Sequence, residues 1–281
     1  MKTLLAPEEA IERAFGTGKG VIEYKLVNAG LTNHTFFLQN DGRPLVLRVD
    51  TEGAALLGLD RTVELGVLRR ASRTKIAPEV VFADPAAGLL VCEYLQGRAL
   101  EASDLTASGT LETLAGVLRE VHQLPACGTS FAASDAAARY VGIVRSDPDL
   151  HAFALYCATS IAAIPAPSHL RCCHHDIVAR NVILDPATSG RLRLIDWEYT
   201  CDNDPLFDLA SLIGYHDIAA APADILLCAY TGGNNAEARD HLQLQLRLFD
   251  LLQWLWLAAQ QVLMPRSTQL DRLRELRQRI A

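Results

Sequence analysis

The sequence predicts an α+β fold with two lobes, a small N-terminal lobe of antiparallel β-sheet plus one helix and a larger, mainly helical C-terminal lobe. Short runs of alternating apolar and polar residues, separated by turn signals, occupy the first 96 residues. Gly97 ends this pattern, and beyond it apolar residues recur mainly at helical spacing. A chain of 281 residues is long enough for two lobes. We therefore expect one lobe over residues 1–96 and the other over residues 97–281.

The N-terminal lobe is expected to start with a short helix over residues 7–15 and to continue with strands. The predicted strands are Val21–Val27, Thr35–Gln39, Leu45–Val49, Glu79–Phe82 and Leu89–Tyr94. Asn40, Asp41 and Gly42 predict a hairpin between the second and third strands, because Asp-Gly tolerates the positive φ of such turns. Residues 58–73 carry one apolar stripe between charged residues, which predicts a helix.

The C-terminal lobe is expected to consist of helices around one hairpin. The predicted helices cover residues 109–123, 149–163, 205–218, 222–230, 236–262 and 267–280. Two short apolar runs, Val182–Leu184 and Leu192–Ile195, are joined by the turn-rich residues 185–190 and predict the hairpin.

Composition excludes several classes of function. A net charge of −7 without any long basic run argues against a nucleic-acid partner. The N-terminus lacks the apolar core of a signal peptide, and no stretch of about 18 apolar residues could span a membrane. Seven scattered cysteines fit a reducing compartment. We expect a cytoplasmic protein with no membrane partner.

The segments HHDIVARNVILD (174–185) and LIDWEYT (194–200) carry the strongest chemical signal. Phosphoryl transfer needs a carboxylate at the attacking hydroxyl and oxygen ligands for the metal on the nucleotide phosphates. Asp176, Asn181 and the strand-end Asp196 supply such a set, and His174 is placed to orient the loop. Loop Asp and Asn residues often only satisfy turn backbone, but the four together at this spacing favour an ATP-dependent kinase.

The same spacing matches the catalytic and metal-binding loops of the protein-kinase superfamily. The run DWEYTCDNDPLFDLA (196–210) resembles more specifically the choline/ethanolamine kinase and aminoglycoside phosphotransferase family, above all bacterial choline kinases and thiamine kinase-like proteins. Only twelve residues separate Asp196 from Asp208, which leaves no room for a peptide-binding activation segment. A small acceptor is expected. Asp204 and Asp208 could instead cap the helix that starts near Pro205.

The resemblance implies roles for residues on the phosphate side. Asp176 would be the catalytic base or hydroxyl-orienting acid, and Asn181 and Asp196 would bind Mg²⁺. Arg48 would bind the ATP phosphates and Glu64 would hold it as an ion pair. The alternatives are a surface strand arginine and an exposed helical glutamate.

The resemblance also implies a nucleotide loop, a hinge and a further catalytic arginine. Gly30, Thr32 and Asn33 would form the loop that caps the phosphates, although an ordinary hairpin turn is the alternative. Backbone groups of Glu93 and Leu95 would hydrogen-bond adenine. Arg180 would neutralise the transferring phosphoryl group or form a structural salt bridge.

The acceptor is expected to be a small amine alcohol such as choline, ethanolamine or thiamine. The helix LLQWLWLAAQQ (251–261) resembles the tryptophan-containing helix of choline kinases, with Trp256 as the cage residue. Trp254 points elsewhere, and either tryptophan could belong to the core. Further acceptor-binding candidates are Glu198, Tyr199 and Tyr215. The alternatives are an aminoglycoside or sugar phosphotransferase, for which Glu237 and Asp240 would supply acidic groups, and a non-catalytic nucleotide-binding protein.

Overall fold

The computed structural model describes residues 1–17, 22–188, 190–233, 235–265 and 267–281. The predicted strand start at Val21 and Ser189 of the predicted hairpin turn lie outside these described residues. In chain order the helices and strands are α1 (Pro7–Phe15), β1 (Glu23–Ala29), β2 (Asn33–Asn40), β3 (Arg43–Asp50), α2 (Glu52–Leu56), α3 (Arg61–Arg73), β4 (Val80–Asp84), β5 (Leu89–Glu93), β6 (Arg98–Ala99), α4 (Thr110–His122), α5 (Ala133–Ile143), α6 (Pro148–Ala162), β7 (Arg171–Cys173), β8 (Val182–Asp185), β9 (Arg191–Leu194), β10 (Cys201–Asn203), α7 (Leu206–Tyr215), α8 (Ala220–Thr231), α9 (Ala236–Leu263) and α10 (Ser267–Ile280).

The chain forms two compact units. The first comprises Met1–Leu100 and Arg180–Thr200, and the second comprises Glu101–Ala179 and Cys201–Ala281. The hairpin of β8 and β9 therefore belongs to the first unit by its contacts. In the chain, however, it follows four elements of the second unit. The division of the chain at residue 96 stays a prediction.

The first unit is built on a five-stranded antiparallel sheet in the order β1-β2-β3-β5-β4. The hairpin predicted between β2 and β3 is confirmed: Asn40 pairs with Arg43, and the two turn residues, Asp41 and Gly42, have φ values of 49° and 77°. The core against one face of the sheet consists of Ala10, Phe36, Leu38, Leu45, Leu47, Val49, Leu89 and Val91.

Strand β3 places apolar and charged residues on opposite faces because side chains alternate along a strand. Leu47 and Val49 are fully buried in the core, so Arg48 and Asp50 share the other face. Helix α3 starts at Arg61, later than the predicted residue 58, because Asp60 caps it by accepting hydrogen bonds from the N–H groups of Thr62 and Val63.

A second sheet of the first unit has the order β6-β8-β9. Gly97 precedes β6 and must be glycine, because a Cβ there would lie 2.3 Å from the carbonyl oxygen of Leu184. Strand β9 is tied to the segment after α3, where the Leu194 N–H donates to the Ile76 carbonyl at 2.7 Å. The β8–β9 hairpin is thereby held at both edges.

The second unit is mainly helical, as expected. Its longest helix, α9, packs against α5, α6, α7 and α10, and a two-stranded ladder of β7 and β10 precedes α7. Among the described residues, none of the helices is both long and apolar enough to cross a membrane. The side chain of Trp254 lies in the core of this unit at 1% exposure.

Candidate active site

A buried aspartate holds the backbone of the loop that carries Asp176. Asp208, in the first turn of α7, is fully buried and its carboxylate accepts hydrogen bonds from the N–H groups of His174 and His175 at 2.9 and 2.8 Å. His122 Nε2 lies 3.0 Å from the same carboxylate. Burial, the largest single effect, would raise the pKa of Asp208, but the bond from His122 and the electrostatic effects of His122, His174 and His175 together outweigh it, and the pKa is lowered. Asp208 therefore supports the loop rather than capping α7.

Two histidines hold the rest of this loop. His174 Nδ1 accepts the N–H of Asp176 at 3.3 Å, which fits its predicted orienting role. Farther along, His216 Nε2, just after α7, accepts the N–H of Ala179 at 2.9 Å. The Asp176 side chain is half-buried between these two anchors. His216 was not identified from the sequence, since nothing in its spacing links it to residue 179.

His175 directly precedes Asp176 in the loop and has a left-handed backbone conformation with φ of 71°. Its ring stacks on Phe207 at 4.2 Å and lies 4.3 Å from the ring of Phe131, and its Nε2 lies 2.7 Å from Asn203 Nδ2. Burial lowers the pKa of His175 to about 4, so the imidazole is neutral near pH 7. His175 is therefore a packed and uncharged residue of the loop.

His122, Cys173 and Asp208 offer ligand atoms within 4.8 Å of one another. These groups are already engaged, however: Asp208 accepts two backbone N–H groups, and His122 Nδ1 lies 2.7 Å from the hydroxyl of Tyr230. Burial also raises the pKa of the Cys173 thiol well above its usual value, which disfavours the thiolate that a metal needs. The cluster is a hydrogen-bonded support and not a metal centre.

In the first unit, Arg48 and Glu64 form a two-pronged ion pair. Arg48 Nη1 and Nη2 donate to the two carboxylate oxygens of Glu64 at 2.5 and 2.6 Å. The side chains are 11% and 3% exposed, so neither the surface arginine nor the exposed glutamate of the alternatives is present. Burial would raise the pKa of Glu64, but the charges and hydrogen bonds of Arg48 and Arg61 together outweigh burial, and the pKa is lowered. Both side chains are therefore charged and held in one geometry.

Arg61, which the sequence analysis did not single out, connects this pair to two further acids. Its guanidinium donates to both oxygens of Asp50 at 2.7 and 2.8 Å, to Glu64 at 2.9 Å and to Glu198 at 3.2 Å. The side chain is 9% exposed. The available signal was its position three residues before Glu64 on a helix, which puts the two side chains on one face.

The carboxylate of Glu198 is the point where the predicted nucleotide loop meets the predicted metal segment. It accepts hydrogen bonds from Thr32 Oγ1 and Asn33 Nδ2, each at 3.0 Å. The loop turns tightly because the Gly30 N–H donates to the Asn33 carbonyl, and a Cβ at Gly30 would lie 2.9 Å from that oxygen. Burial, followed by the charge of Asp196, raises the pKa of Glu198 to about 7, although Arg61 opposes this.

The two predicted metal ligands lie on adjoining backbone segments of the first unit. The N–H of Ile195 donates to the carbonyl of Asn181 at 2.9 Å, and Asp196 follows directly. Asp196 has a left-handed backbone with φ of 66° and an exposed side chain, whereas Asn181 is buried. An amide oxygen and a carboxylate are the hard oxygen donors that Mg²⁺ prefers, so this pair fits the ion.

The predicted hinge is anchored by an arginine from β9. Arg193 Nη1 donates to Glu93 Oε1 at 2.7 Å and to Asp185 at 2.9 Å, so the Glu93 side chain is engaged with protein. Leu95 is buried, and the N–H of Glu93 donates to the carbonyl of Glu79. The adenine-binding role of Glu93 and Leu95 stays a prediction, as does the role of Arg180, whose side chain is exposed.

The predicted acceptor residues divide between the units. Glu198 and Tyr199 belong to the first unit, and Tyr215 and Trp256 belong to the second. Tyr215 is 36% exposed and its ring lies 5.0 Å from that of His216, while Trp256 is half-buried. Their roles stay predictions.

Trp254 belongs to the core and not to an acceptor pocket, as the sequence allowed. Its Nε1 donates to the Leu273 carbonyl at 3.1 Å and its ring packs edge-on against Phe153.

Glu237 and Asp240 are exposed in the first turns of α9.

Comparison with known proteins adds relatives by sequence. The profile of the phosphotransferase enzyme family, APH, matches residues 23–246. Protein LicA of Haemophilus influenzae is 27% identical over 228 residues, which cover 76% of this chain and 65% of that protein. The thiamine kinase of Escherichia coli (strain SMS-3-5 / SECEC) is 28% identical over 221 residues, which cover 74% of this chain and 71% of that protein. The chain thus spans less than two thirds of the length of that LicA.

Solved structures share the fold. Choline kinase LicA from Streptococcus pneumoniae matches with a TM-score of 0.78 and 19% identity, over 97% of this chain and 98% of that chain. A choline/ethanolamine kinase family protein from Mesorhizobium loti matches with 0.68 and 25%, over 96% and 93%. The GDP complex of aminoglycoside 2′-phosphotransferase-IIIa matches with 0.68 and 15%, over 97% and 96%. These likenesses confirm the predicted α+β, kinase-like fold.

Proposed function

The chain belongs to the phosphotransferase enzyme family, and we propose that it is an ATP- and Mg²⁺-dependent kinase that phosphorylates the hydroxyl group of a small amine alcohol. The observation that carries the proposal is the support of the Asp176 loop. A fully buried aspartate, Asp208, and two histidine acceptors hold the backbone of residues 174–179, while the Asp176 carboxylate stays partly accessible. Such support of the backbone is what a positioned catalytic carboxylate requires.

In this proposal Asp176 orients the acceptor hydroxyl and receives its proton as the oxygen attacks the γ-phosphate of ATP. Asn181 and Asp196 would hold Mg²⁺, which when bound neutralises charge on the phosphates. Arg180 would stabilise the transferring phosphoryl group. His174 acts only through its bond to the Asp176 N–H, so it positions the loop.

Arg48 would bind the phosphates of ATP through one side of its guanidinium. Its Nη1 and Nη2 are directed at Glu64, and the pair is held in turn by Arg61 and Asp50. The charge is therefore fixed before the nucleotide binds, which is the arrangement that electrostatic stabilisation favours. Backbone groups at Glu93 and Leu95 would bind adenine.

The amine-alcohol acceptor is supported by the names of the relatives, which include thiamine kinase and choline kinase. Trp256 is half-buried and would supply an aromatic face to a cationic group, with Glu198, Tyr199 and Tyr215 as further candidates. Besides ATP and Mg²⁺, this function requires a small alcohol as substrate, and we infer a cytoplasmic location. Transfer to an aminoglycoside or sugar is the competing function, and nucleotide binding without catalysis is the remote one.

Acceptor-dependent ATP consumption tests the proposal. The purified full chain would be assayed with Mg²⁺ against choline, ethanolamine, thiamine, aminoglycosides and simple sugars. We expect turnover with an amine alcohol and little with the rest. Turnover with an aminoglycoside or sugar alone would transfer the function to the competing class, and ATP binding without turnover on any acceptor would contradict the amine-alcohol assignment.

A further inference from the structure

Four cysteines of the second unit lie around its short two-stranded ladder. Cys172 and Cys173 form the end of β7, Cys201 starts β10 opposite Cys173, and Cys127 lies in the segment after α4. All four carry thiols and not disulfides. β7 leads directly to His174, so these thiols adjoin the start of the loop that carries Asp176.

One pair among them is in direct contact. The Sγ atoms of Cys127 and Cys172 are 3.4 Å apart. Cys127 is partly exposed, whereas Cys172 is 1% exposed. We propose that Cys127 and Cys172 form a reversible disulfide on reaction with a low-molecular-weight disulfide, with Cys127 as the solvent-accessible thiol that attacks this disulfide first.

The backbone around Cys127 is already held in place for this bond. The carboxylate of Asp202, on β10, accepts the N–H groups of Cys127 and Gly128 at 2.7 and 2.8 Å. Asp202 is the residue directly opposite Cys172 in the ladder. Backbone bonds from Asp202 to Thr129 and Phe131 fasten the following residues as well. The segment is therefore fixed against the strand that carries the second thiol, so closing the sulfur gap needs little backbone movement.

Two other pairings within the ladder are less favourable. Cys172 and Cys173 are neighbours on a strand, so their side chains point to opposite faces. Cys173 and Cys201 face each other in the register, but burial raises the pKa of both thiols well above the usual value. The reactive form of a cysteine is the thiolate, so a buried pair without a solvent-accessible member reacts slowly.

The chemistry is thiol–disulfide exchange in two balanced steps. The Cys127 thiolate attacks oxidised glutathione, which forms the mixed disulfide and releases one glutathione thiolate. The Cys172 sulfur, after losing its proton to solvent, then attacks the Cys127 sulfur and releases the second glutathione. The net change is oxidation of two protein thiols and reduction of one glutathione disulfide, and excess reduced glutathione reverses it.

The test incubates the folded full chain with oxidised glutathione and then denatures it, so that buried thiols also react, before alkylation and peptide mapping. We expect the number of titratable thiols to fall from seven to five, with one peptide pair linking Cys127 to Cys172 and full recovery after reduction. Cys228→Ser removes another partly exposed thiol, on α8, and is the matched control that should leave the linkage unchanged.

Cys127→Ser is the decisive variant because its side chain is partly exposed and the Asp202 bonds use only its backbone. In this variant the linked peptide pair should be absent, and no other cysteine of this cluster should carry glutathione. Persistence of glutathione on Cys127 of the wild-type chain without closure to Cys172, or closure of a different pair, would overturn the proposal. Circular dichroism of the variant confirms that the fold is retained.

Discussion

Glu198 accepts a hydrogen bond of 3.0 Å from the Thr32 hydroxyl, although 166 residues separate them in the chain. The sequence predicts Thr32 at the ATP phosphates and Glu198 at the acceptor, and it gives no sign that these two residues bind each other. Asn33 donates to the same carboxylate, and Arg61 also donates to it. Glu198 therefore couples the predicted nucleotide loop to the segment that begins at Asp196.

A double-mutant cycle of Thr32→Val and Glu198→Gln tests this coupling through kcat/KM for ATP. Each single variant should lower kcat/KM about 10-fold, because a buried group loses a hydrogen bond to a charged partner. If Thr32 acts through Glu198, the double variant should be only slightly worse than either single variant. Fully additive losses would instead assign Thr32 an independent contact with ATP.

Arg48→Lys tests the forked geometry of the Arg48–Glu64 pair. A lysine keeps the charge but cannot donate to both carboxylate oxygens in one plane, so its ammonium group should be poorly placed for phosphate. We expect the KM for ATP to rise about 10-fold. Arg43→Lys, on the same strand but 52% exposed in its pair with Glu79, is the matched control and should leave KM unchanged. Equal effects of the two substitutions would refute the assignment.

Asp208→Asn should destabilise the second unit. The asparagine has one acceptor oxygen for the N–H groups of His174 and His175, and its NH₂ group would face a donor. We expect the free energy of unfolding in urea to fall by about 3 kcal/mol. Asp224→Asn, at a carboxylate that is 52% exposed, should change it by less than about 0.5 kcal/mol. A small effect at Asp208 would show that the loop does not depend on this carboxylate.

His175 should make stability depend on pH. Its folded pKa of about 4 lies below the unfolded value of about 6.5, so the unfolded chain binds a proton that the folded chain does not. Stability is therefore retained above about pH 6.5 and lost as the pH falls towards about 4, by up to about 3 kcal/mol from this group. His175→Asn keeps a residue that tolerates positive φ and removes the titration. Its unfolding free energy should fall less over the same pH range; an unchanged slope would exclude His175 as the cause.

Local patterns predicted much of the architecture. Alternating hydropathy and the Asn-Asp-Gly turn located β2 and β3, and the apolar stripe located α3, because these signals lie within a few neighbouring residues. Helix α5 was missed because its alanine-rich sequence, ASDAAARYVGI, has a weak apolar stripe. The strands β7 and β10 have three residues each, too few to show a period.

The site was predictable as a set of residues but not as a network. The spacing of Asp176, Asn181 and Asp196 made them candidates, and the Arg48–Glu64 contact followed from the family resemblance. The partners of Asp208 and Glu198 could not be predicted in this way. His122, for example, is 86 residues from Asp208 and carries no local signal. Contacts at such separations depend on the tertiary fold.

The most direct test of the account is formation of a phosphomonoester from ATP and an amine alcohol by the wild-type chain, Asp176→Asn and Asp196→Asn, followed by ³¹P NMR. Asparagine is chosen at residue 196 because it tolerates the left-handed backbone there. Asp41→Asn, at an exposed left-handed position in the β2–β3 turn, is the control. The account predicts normal product for the control and losses of about 1,000-fold or more for both site variants, each still folded. Near-normal product from Asp176→Asn would contradict it.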